Sequence, residues 1–478
     1  MPRRSRPRRS RPRRSRPRRS RPRPGLRPRP GPRSRPRPRT SGRHRSVTLS
    51  LPRTADTVIP PHAYVDADVW PDVARPPAAP FGHAAAARRI VRGALARLPL
   101  RCRFADGPAT GTGPSLTVHD PEAFFTRIGA HGLIGFGESY MAGEWDSDDL
   151  TGLLTILAAN VDELVPAPLR RLRSSWVARR PAQQGTRAGA RENVQRHYDL
   201  SNELFSLFLD DTMSYSAALF AAFPARQESL RTAQERKIDR LLDLADVGEG
   251  TRLLEIGTGW GELALRAARR GAQVTTVTLS AEQRDLARRR VAEAGLSHRV
   301  DVDLRDYRDV YGRYDAVVSV EMIEAVGAEH WPVYFGALRR ALLPGGRIAL
   351  QAITMGHRQM LDTAATHTWI SKYVFPGGLI PSREAIEENA AAVGLRVLSD
   401  HGYGDHYAQT LRLWRERFTA RAGEVERLGF DHTFRRMWEL YLAYSEAGFR
   451  SRYLDVRQLL LTEADPEDWP EREPEPRA

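Results

Sequence analysis

Five short apolar runs in the second half of the chain, TRLLEIG, AQVTTVTLS, RVDVDLRD, YDAVVSV and GRIALQAIT, are separated by segments whose apolar residues recur at helical spacing. Runs of this length, rich in Val, Ile and Leu, read as buried strands. Between them ELALRAARRG, AEQRDLARRRVAEAG and WPVYFGALRRALLPGG read as amphipathic helices, two of them closed by glycine. Parallel strands need a crossover, and a helix supplies it. The alternation therefore predicts an α/β fold, a doubly wound parallel sheet with helices on both faces.

The first run continues into LEIGTGWGEL, which sets Glu255 two residues before Gly257 and follows it with Gly259 and Gly261. Glycine lets the backbone turn sharply and approach a ligand, and the next helix presents its amino terminus to that ligand. The spacing lacks the two residues before the last glycine that a dinucleotide fingerprint requires. It resembles instead the first motif of class I S-adenosylmethionine methyltransferases. VTLSAEQ after the second strand, RDYRDV after the third and the Pro-Gly-Gly turn in LLPGGRIAL before the fifth fit the same pattern. A structural turn in a Rossmann-like domain without cofactor is the alternative.

The formal charge of +16 suggests a nucleic-acid partner until the charge is located. The first 50 residues hold 21 Arg and no acid, including four tandem copies of RRSRP, so the rest of the chain is mildly acidic. Such a leader has almost nothing to bury and is expected to be disordered. It offers a nucleic-acid or anionic-membrane contact, or is an extension read from repetitive sequence upstream of the true start. No apolar segment follows it as in a secretory signal, and no run is long enough to span a membrane. One cysteine, Cys102, excludes an intramolecular disulfide. The expected organisation is a disordered Arg/Pro-rich leader and linker over 1–80 and a small α+β lipid-association domain over 81–165. A basic linker over 166–190, a methyltransferase domain over 191–465 and an acidic tail over 466–478 follow. Within the small domain GLIGFGESYMAGEW is either a ligand-facing loop or a Gly-aromatic turn filling a core.

ENVQRHYDLSNELFSLFLDDTMSYSAALF before the cofactor strand, and WISKYVFPGGLIPS, HYAQTLRLWRERF and MWELYLAYSEAGFRSRYLDV after the sheet, narrow the family. From about residue 80 to 460 the chain resembles cyclopropane-fatty-acyl-phospholipid synthases, most strongly the actinobacterial branch that makes 10-methylene or 10-methyl, tuberculostearic-type chains. An alkene is a feeble nucleophile, so such an enzyme must hold the double bond against the sulfonium methyl with water excluded. Methyl transfer leaves a carbocation, and a base must then remove a proton. The resemblance implies a bound bicarbonate ion as that base.

The resemblance carries roles to particular residues. Glu324, just beyond the strand YDAVVSV, matches the carboxyl that orients bicarbonate and is expected to share a proton with it; capping the next helix is its alternative. Glu321, one turn earlier, is expected only to cap that helix. Tyr407 in DHYAQT matches the bicarbonate-binding tyrosine. Gln351 stands where better-known cyclopropane synthases have histidine and cannot relay a proton at neutral pH. Ser445 and Ala217 occupy positions that are often cysteine, and Ala325 replaces the histidine of the usual EHVG. For S-adenosylmethionine the resemblance points to Tyr215 and Ser216 over the methionine end, and to Glu255, Gly257, Gly259 and Gly261 beneath it. Thr278, Leu279, Ser280 and Gln283 fall at the ribose, with Ser280 replacing the usual acid, and Asp306 and Tyr307 at the adenine. His197 and Tyr198 of RHYDLSN lie near the methyl or pack a helix start. Tyr373 and Phe375 of YVFPGG line an acyl tunnel or are plain core.

The expected activity is transfer of the methyl carbon to the double bond of an unsaturated phospholipid chain, giving a methylene- or methyl-branched chain or a cyclopropane. A methyltransferase of a soluble small molecule and a nucleic-acid binder working through the leader are the alternatives, the latter disfavoured by the acidic remainder. The expected setting is cytoplasmic with peripheral membrane contact. A homodimer and a separate reductase are candidate partners, and no specific nucleic acid or metal is expected.

Overall fold

Ahead of the large sheet, a three-stranded one forms from β1 (Arg101–Phe104), β2 (Ser115–Val118) and β3 (Trp145–Asp146), in that order. The computed structural model describes residues 65–164, 201–225, 228–364 and 366–464. The leader, the basic linker 166–190, His197, Tyr198 and the tail 466–478 lie outside the described residues.

Each of the five apolar runs forms a strand: β4 (Arg252–Ile256), β5 (Gln273–Thr278), β6 (Val300–Leu304), β7 (Tyr314–Val320) and β8 (Leu342–Met355). Two further strands, β9 (Leu395–Gly402) and β10 (Leu454–Glu463), complete a sheet of order β6-β5-β4-β7-β8-β10-β9. The first five are parallel, and β10 runs antiparallel between β8 and β9. This is the doubly wound α/β fold that the alternation predicts. Strand side chains alternate between faces, and both faces are buried. Leu254, Val317, Ile348 and Leu350 pack under helices Trp331–Ala341 and Arg383–Ala391. Leu253, Ala316, Val318 and Ala349 pack under helices Leu230–Leu244, Glu262–Arg269 and Ala281–Glu293.

Gly271 and Gly295 close their helices with φ of 95° and 70°. The third predicted helix ends earlier than its glycines. Leu342 is already extended, and the Pro-Gly-Gly stretch belongs to β8.

The N-terminal elements share one core with the C-terminal helices Gly404–Ala420 and His432–Arg450, where Phe124, Trp145, Trp414 and Trp438 are all buried. Truncating any of these rings to Ala would cost about 3–5 kcal/mol. GLIGFGESYMAGEW is mostly neither a loop nor a turn but the helix Leu133–Met141. Its glycines permit close approach: a Cβ on Gly135 would lie 2.1 Å from the Arg127 carbonyl oxygen, and one on Gly137 2.4 Å from the Trp369 ring. Part of the first linker is also tied down. The Trp70 indole donates to Asp431 at 2.8 Å, and buried Arg127 donates to the carbonyls of Asp72 and Val73 at 2.8 and 2.6 Å.

Candidate active site

Ligands of doubly wound sheets bind beyond the carboxyl ends of the strands, and a cavity of about 2000 Å³ opens there, above β4, β5 and β7. Its floor is the turn after β4. Gly257 takes φ of 96°, and a Cβ there would lie 2.7 Å from Met322 Cγ; Gly259 and Gly261 take φ of 51° and 90°. Gly261 starts helix Glu262–Arg269 and admits Ala287 at the contact a Cβ would make, 3.0 Å. Buried Glu255 faces the cavity with one carboxylate oxygen unpartnered, and burial pushes its carboxyl up to about 8. The orphaned buried carboxyl oxygen fits the amino and hydroxyl groups of S-adenosylmethionine, and the glycine turn with the N–H groups of the helix start fits its carboxylate.

Thr278, Leu279 and Gln283 line the cavity, with the Thr278 hydroxyl donating to Gln283 Oε1 at 2.8 Å. Ser280 is not in the wall. Its side chain caps helix Ala281–Glu293 by accepting from the Gln283 backbone N–H, so it bears on the cavity by holding Gln283. Asp306 and Tyr307 are in the wall, but the Asp306 carboxylate is engaged by Arg308 at 2.6 Å. Across the cavity the Tyr215 and Tyr441 hydroxyls bond at 2.7 Å, and Ser216 Oγ accepts from Lys237 Nζ at 2.7 Å.

Lys237 is the cofactor-side residue that motif reading missed. It is 2% exposed and lines the cavity among Glu255, Glu321 and Asp210. Burial lowers its ammonium to about 8 against the pull of those acids. A signal was present: Leu230, Ala233, Ile238 and Leu241 form the apolar stripe of helix Leu230–Leu244, and Lys237 falls inside it.

The two acids after β7 behave differently from expectation. Helix Ile323–Val326 has Met322 at its N-cap and no side-chain cap, so Glu321 does not cap it. The Glu321 carboxylate turns back instead. It accepts from the Ala217 backbone N–H at 2.9 Å, Gln351 Nε2 at 2.8 Å and the Tyr407 hydroxyl at 2.7 Å. Glu324 accepts from the Ile353 backbone N–H at 2.5 Å through one oxygen, and the other is buried without a partner. Burial first, and the neighbouring Glu321 second, push its carboxyl up to about 8. Glu321, Glu324, Tyr407 and Ser445 all line the cavity, whereas Gln351 stands fully buried behind Glu321.

Beyond the acids the wall becomes apolar. Helix His83–Leu95 contributes Ala87, Ile90, Val91 and Ala94, and Phe136 and Leu157 join them in the lining. Phe375 lines this end against Tyr441. Tyr373 does not. Its hydroxyl donates at 2.9 Å to buried Glu138, which also takes Lys372 at 2.5 Å, so Tyr373 clamps the insertion onto the N-terminal helices.

These ionisations set a pH dependence. Glu255 and Glu324 titrate near 8 when folded and near 4.5 as free carboxyls, and Glu144, pushed up to about 7 by burial, adds to them. Between pH 6.5 and 8 the folded chain thus holds more protons than the unfolded one, and stability falls as pH rises, by on the order of 1–3 kcal/mol per unit. The lowered histidines His401, His406 and His432 oppose this trend at the acid edge of the window and lowered Lys237 opposes it at the alkaline edge, and the raised carboxyls outweigh both. Melting temperatures of the ligand-free protein should therefore decline from pH 6.5 to 8; a rise would reject the buried neutral carboxyls.

Comparison with known proteins agrees with this geometry. Residues 186–459 match the family model described as mycolic acid cyclopropane synthetase. The chain is 56% identical over 425 residues to the tuberculostearic acid methyltransferase UfaA1 of Mycobacterium tuberculosis, covering 86% of this chain and all of that protein. It is 34% identical over 357 residues to the cyclopropane-fatty-acyl-phospholipid synthase of Escherichia coli, covering 74% of this chain and 89% of that one. Among solved structures, the cyclopropane synthase MmaA2 from Mycobacterium tuberculosis superposes with a TM-score of 0.53 at 32% identity, over 57% of this chain and 97% of that one. The glycine cradle, the class I sheet order and these matches together place the chain in the mycolic acid cyclopropane synthetase family, as an S-adenosylmethionine-dependent methyltransferase.

Proposed function

We propose that the enzyme transfers the methyl carbon of S-adenosylmethionine to the double bond of an unsaturated phospholipid acyl chain, giving a methylene-branched or cyclopropane product. The observation that carries this reading is the continuity of one cavity from the glycine cradle to the apolar sleeve of helices His83–Leu95 and Leu150–Ala159. Pockets for small ligands run to about 300–1,000 Å³. The volume of about 2000 Å³ suits a cofactor and a long chain together. The similarity to proteins named for tuberculostearic acid and cyclopropane fatty-acyl phospholipid supports the same class of acceptor.

S-Adenosylmethionine, when bound, supplies an electrophilic methyl on sulfur. Gly257 and Gly259 would let the backbone approach it, and Tyr215, Ser216 and Lys237, which line the same cavity, would wall its methionine side. The apolar sleeve aligns the double bond and keeps water from the cation that follows. Both products lose their proton from the transferred carbon; they differ in whether a hydride first moves between the two chain carbons. A phospholipid acceptor would be taken from a bilayer surface; no helix among the described residues is long and apolar enough to cross a membrane. With radiolabelled S-adenosylmethionine, label should enter lipid extracted from oleoyl-phospholipid vesicles. Label confined to water-soluble acceptors from a cell extract would instead support a small-molecule methyltransferase.

A further inference from the structure

The proposed reaction needs a base, and bicarbonate does not fit the residues that the resemblance assigns to it. The Tyr407 hydroxyl and Gln351 Nε2 are both spent on Glu321, at 2.7 and 2.8 Å, and the Ala217 backbone N–H gives the same carboxylate a third bond at 2.9 Å. A second anion there would find its donors taken and would lie against a carboxylate.

Glu321 is held as an ionised group. Every partner named is a donor, and the orientation of the amide among them is fixed from behind. Gln458 Nε2 donates to Gln351 Oε1 at 3.0 Å, so Gln351 must present its NH₂ to Glu321. Gln458 is oriented in turn because its Oε1 accepts from Arg240. The buried Lys237 ammonium supplies the compensating charge. The Glu321 backbone is unusual as well, with φ of 52° and its N–H donating to the Gln351 carbonyl at 2.8 Å. A left-handed conformation costs a side-chain-bearing residue free energy, and such residues collect at functional sites. Here it aims the carboxylate back over the strand ends into the cavity.

Resting on the lipid reading above, we propose that Glu321 is the catalytic base of this enzyme, taking the place of an external bicarbonate ion. The alkene π pair forms the new bond to the methyl carbon while the C–S pair returns to sulfur. Glu321 then removes a proton from the transferred carbon. The freed C–H pair closes either the cyclopropane ring or, after the hydride shift, the exocyclic double bond. The proton stays on Glu321 and is given up to water between turnovers. The other groups facing Glu321 support this role. Tyr407 and Tyr403 have their hydroxyls pushed well up by burial and by the Glu321 charge, and so remain protonated. Glu324, raised by burial and by Glu321, is neutral beside it. Burial also raises Glu321 itself, which strengthens it as a base.

The test uses the full chain, oleoyl-phospholipid vesicles and methyl-labelled S-adenosylmethionine, in buffer stripped of carbon dioxide and in the same buffer with added bicarbonate. The unaltered enzyme should label the acyl chain at rates within about twofold in the two buffers. Glu321→Gln should lower the rate by roughly 10²–10⁴-fold while S-adenosylhomocysteine still binds. Glu321→Gly, which suits the left-handed backbone and empties the site, should regain about tenfold on addition of bicarbonate or formate. A tenfold loss by the unaltered enzyme on removing bicarbonate, restored on its return, would overturn the assignment. So would a Glu321→Gln rate within about fivefold of the unaltered one. Should Glu321→Gln fail to bind S-adenosylhomocysteine, the bicarbonate response of the unaltered enzyme decides alone. No acyl label from the unaltered enzyme in either buffer would reject the lipid reading, and this assignment with it, whereas acyl label that depends on bicarbonate rejects the assignment only.

Discussion

Gly257→Val should weaken binding of S-adenosylhomocysteine by at least about 100-fold, measured by titration calorimetry, because three requirements meet at that position. The backbone stands at φ of 96°, which a β-branched residue adopts only under strain. A Cβ would enter Met322, 2.7 Å from its Cγ and 2.8 Å from its Sδ. Met322 follows Glu321 directly, stands at the N-cap of the helix that carries Glu324 and lines the cavity, so its displacement disturbs the cofactor floor and the acids together. Circular dichroism should show the α/β fold intact, since the strain falls on a turn after β4 and leaves the strand's ladders to β5 and β7 in place. An affinity within about fivefold of the unaltered protein would show that the cofactor does not rest on this turn.

Ala94→Trp should act on the other ligand. Ala94 is buried near the end of helix His83–Leu95, on the stripe that lines the apolar end of the cavity. An indole there takes up space in the sleeve without touching the glycine cradle. Turnover of octadecenoyl phospholipid should fall by at least about tenfold and that of shorter unsaturated chains much less, with affinity for S-adenosylhomocysteine unchanged. The substitution should cost no more than about 1–3 kcal/mol of stability, the usual range for an added large side chain. Equal loss on long and short chains would argue that the sleeve does not hold the acyl tail.

How much of this was legible in the sequence follows from the range of the interactions involved. Strands β4 to β8 and the glycine cradle were readable because their signals are local: a short apolar run, a helix beside it, a fixed glycine spacing. Strands β9 and β10 were not, because they pair antiparallel with each other and with β8 across long insertions, outside the alternation. Glu321 was misjudged for a related reason. One turn before a helix, an acid has the local look of a cap, and only tertiary structure brings Ala217, Gln351 and Tyr407 to its oxygens. Ser280 is the reverse case, read by position in the motif as a ribose contact while its local capping bond takes its side chain. Tyr373 sits where an aromatic promises a tunnel wall, yet buried Glu138, which is 235 positions away in the chain, claims its hydroxyl. Lys237 alone carried a signal that could have been used, a lysine on the buried stripe of an amphipathic helix.

The most direct test of the acyl-chain reading is mass spectrometry of fatty acids recovered after the full chain meets oleoyl-phospholipid vesicles and trideuteromethyl S-adenosylmethionine. The expected result is one added carbon on the oleoyl chain with two of its three deuterium atoms retained, in a terminal methylene or in a ring. An unchanged oleoyl chain, in vesicles where an established cyclopropane synthase works, would contradict it.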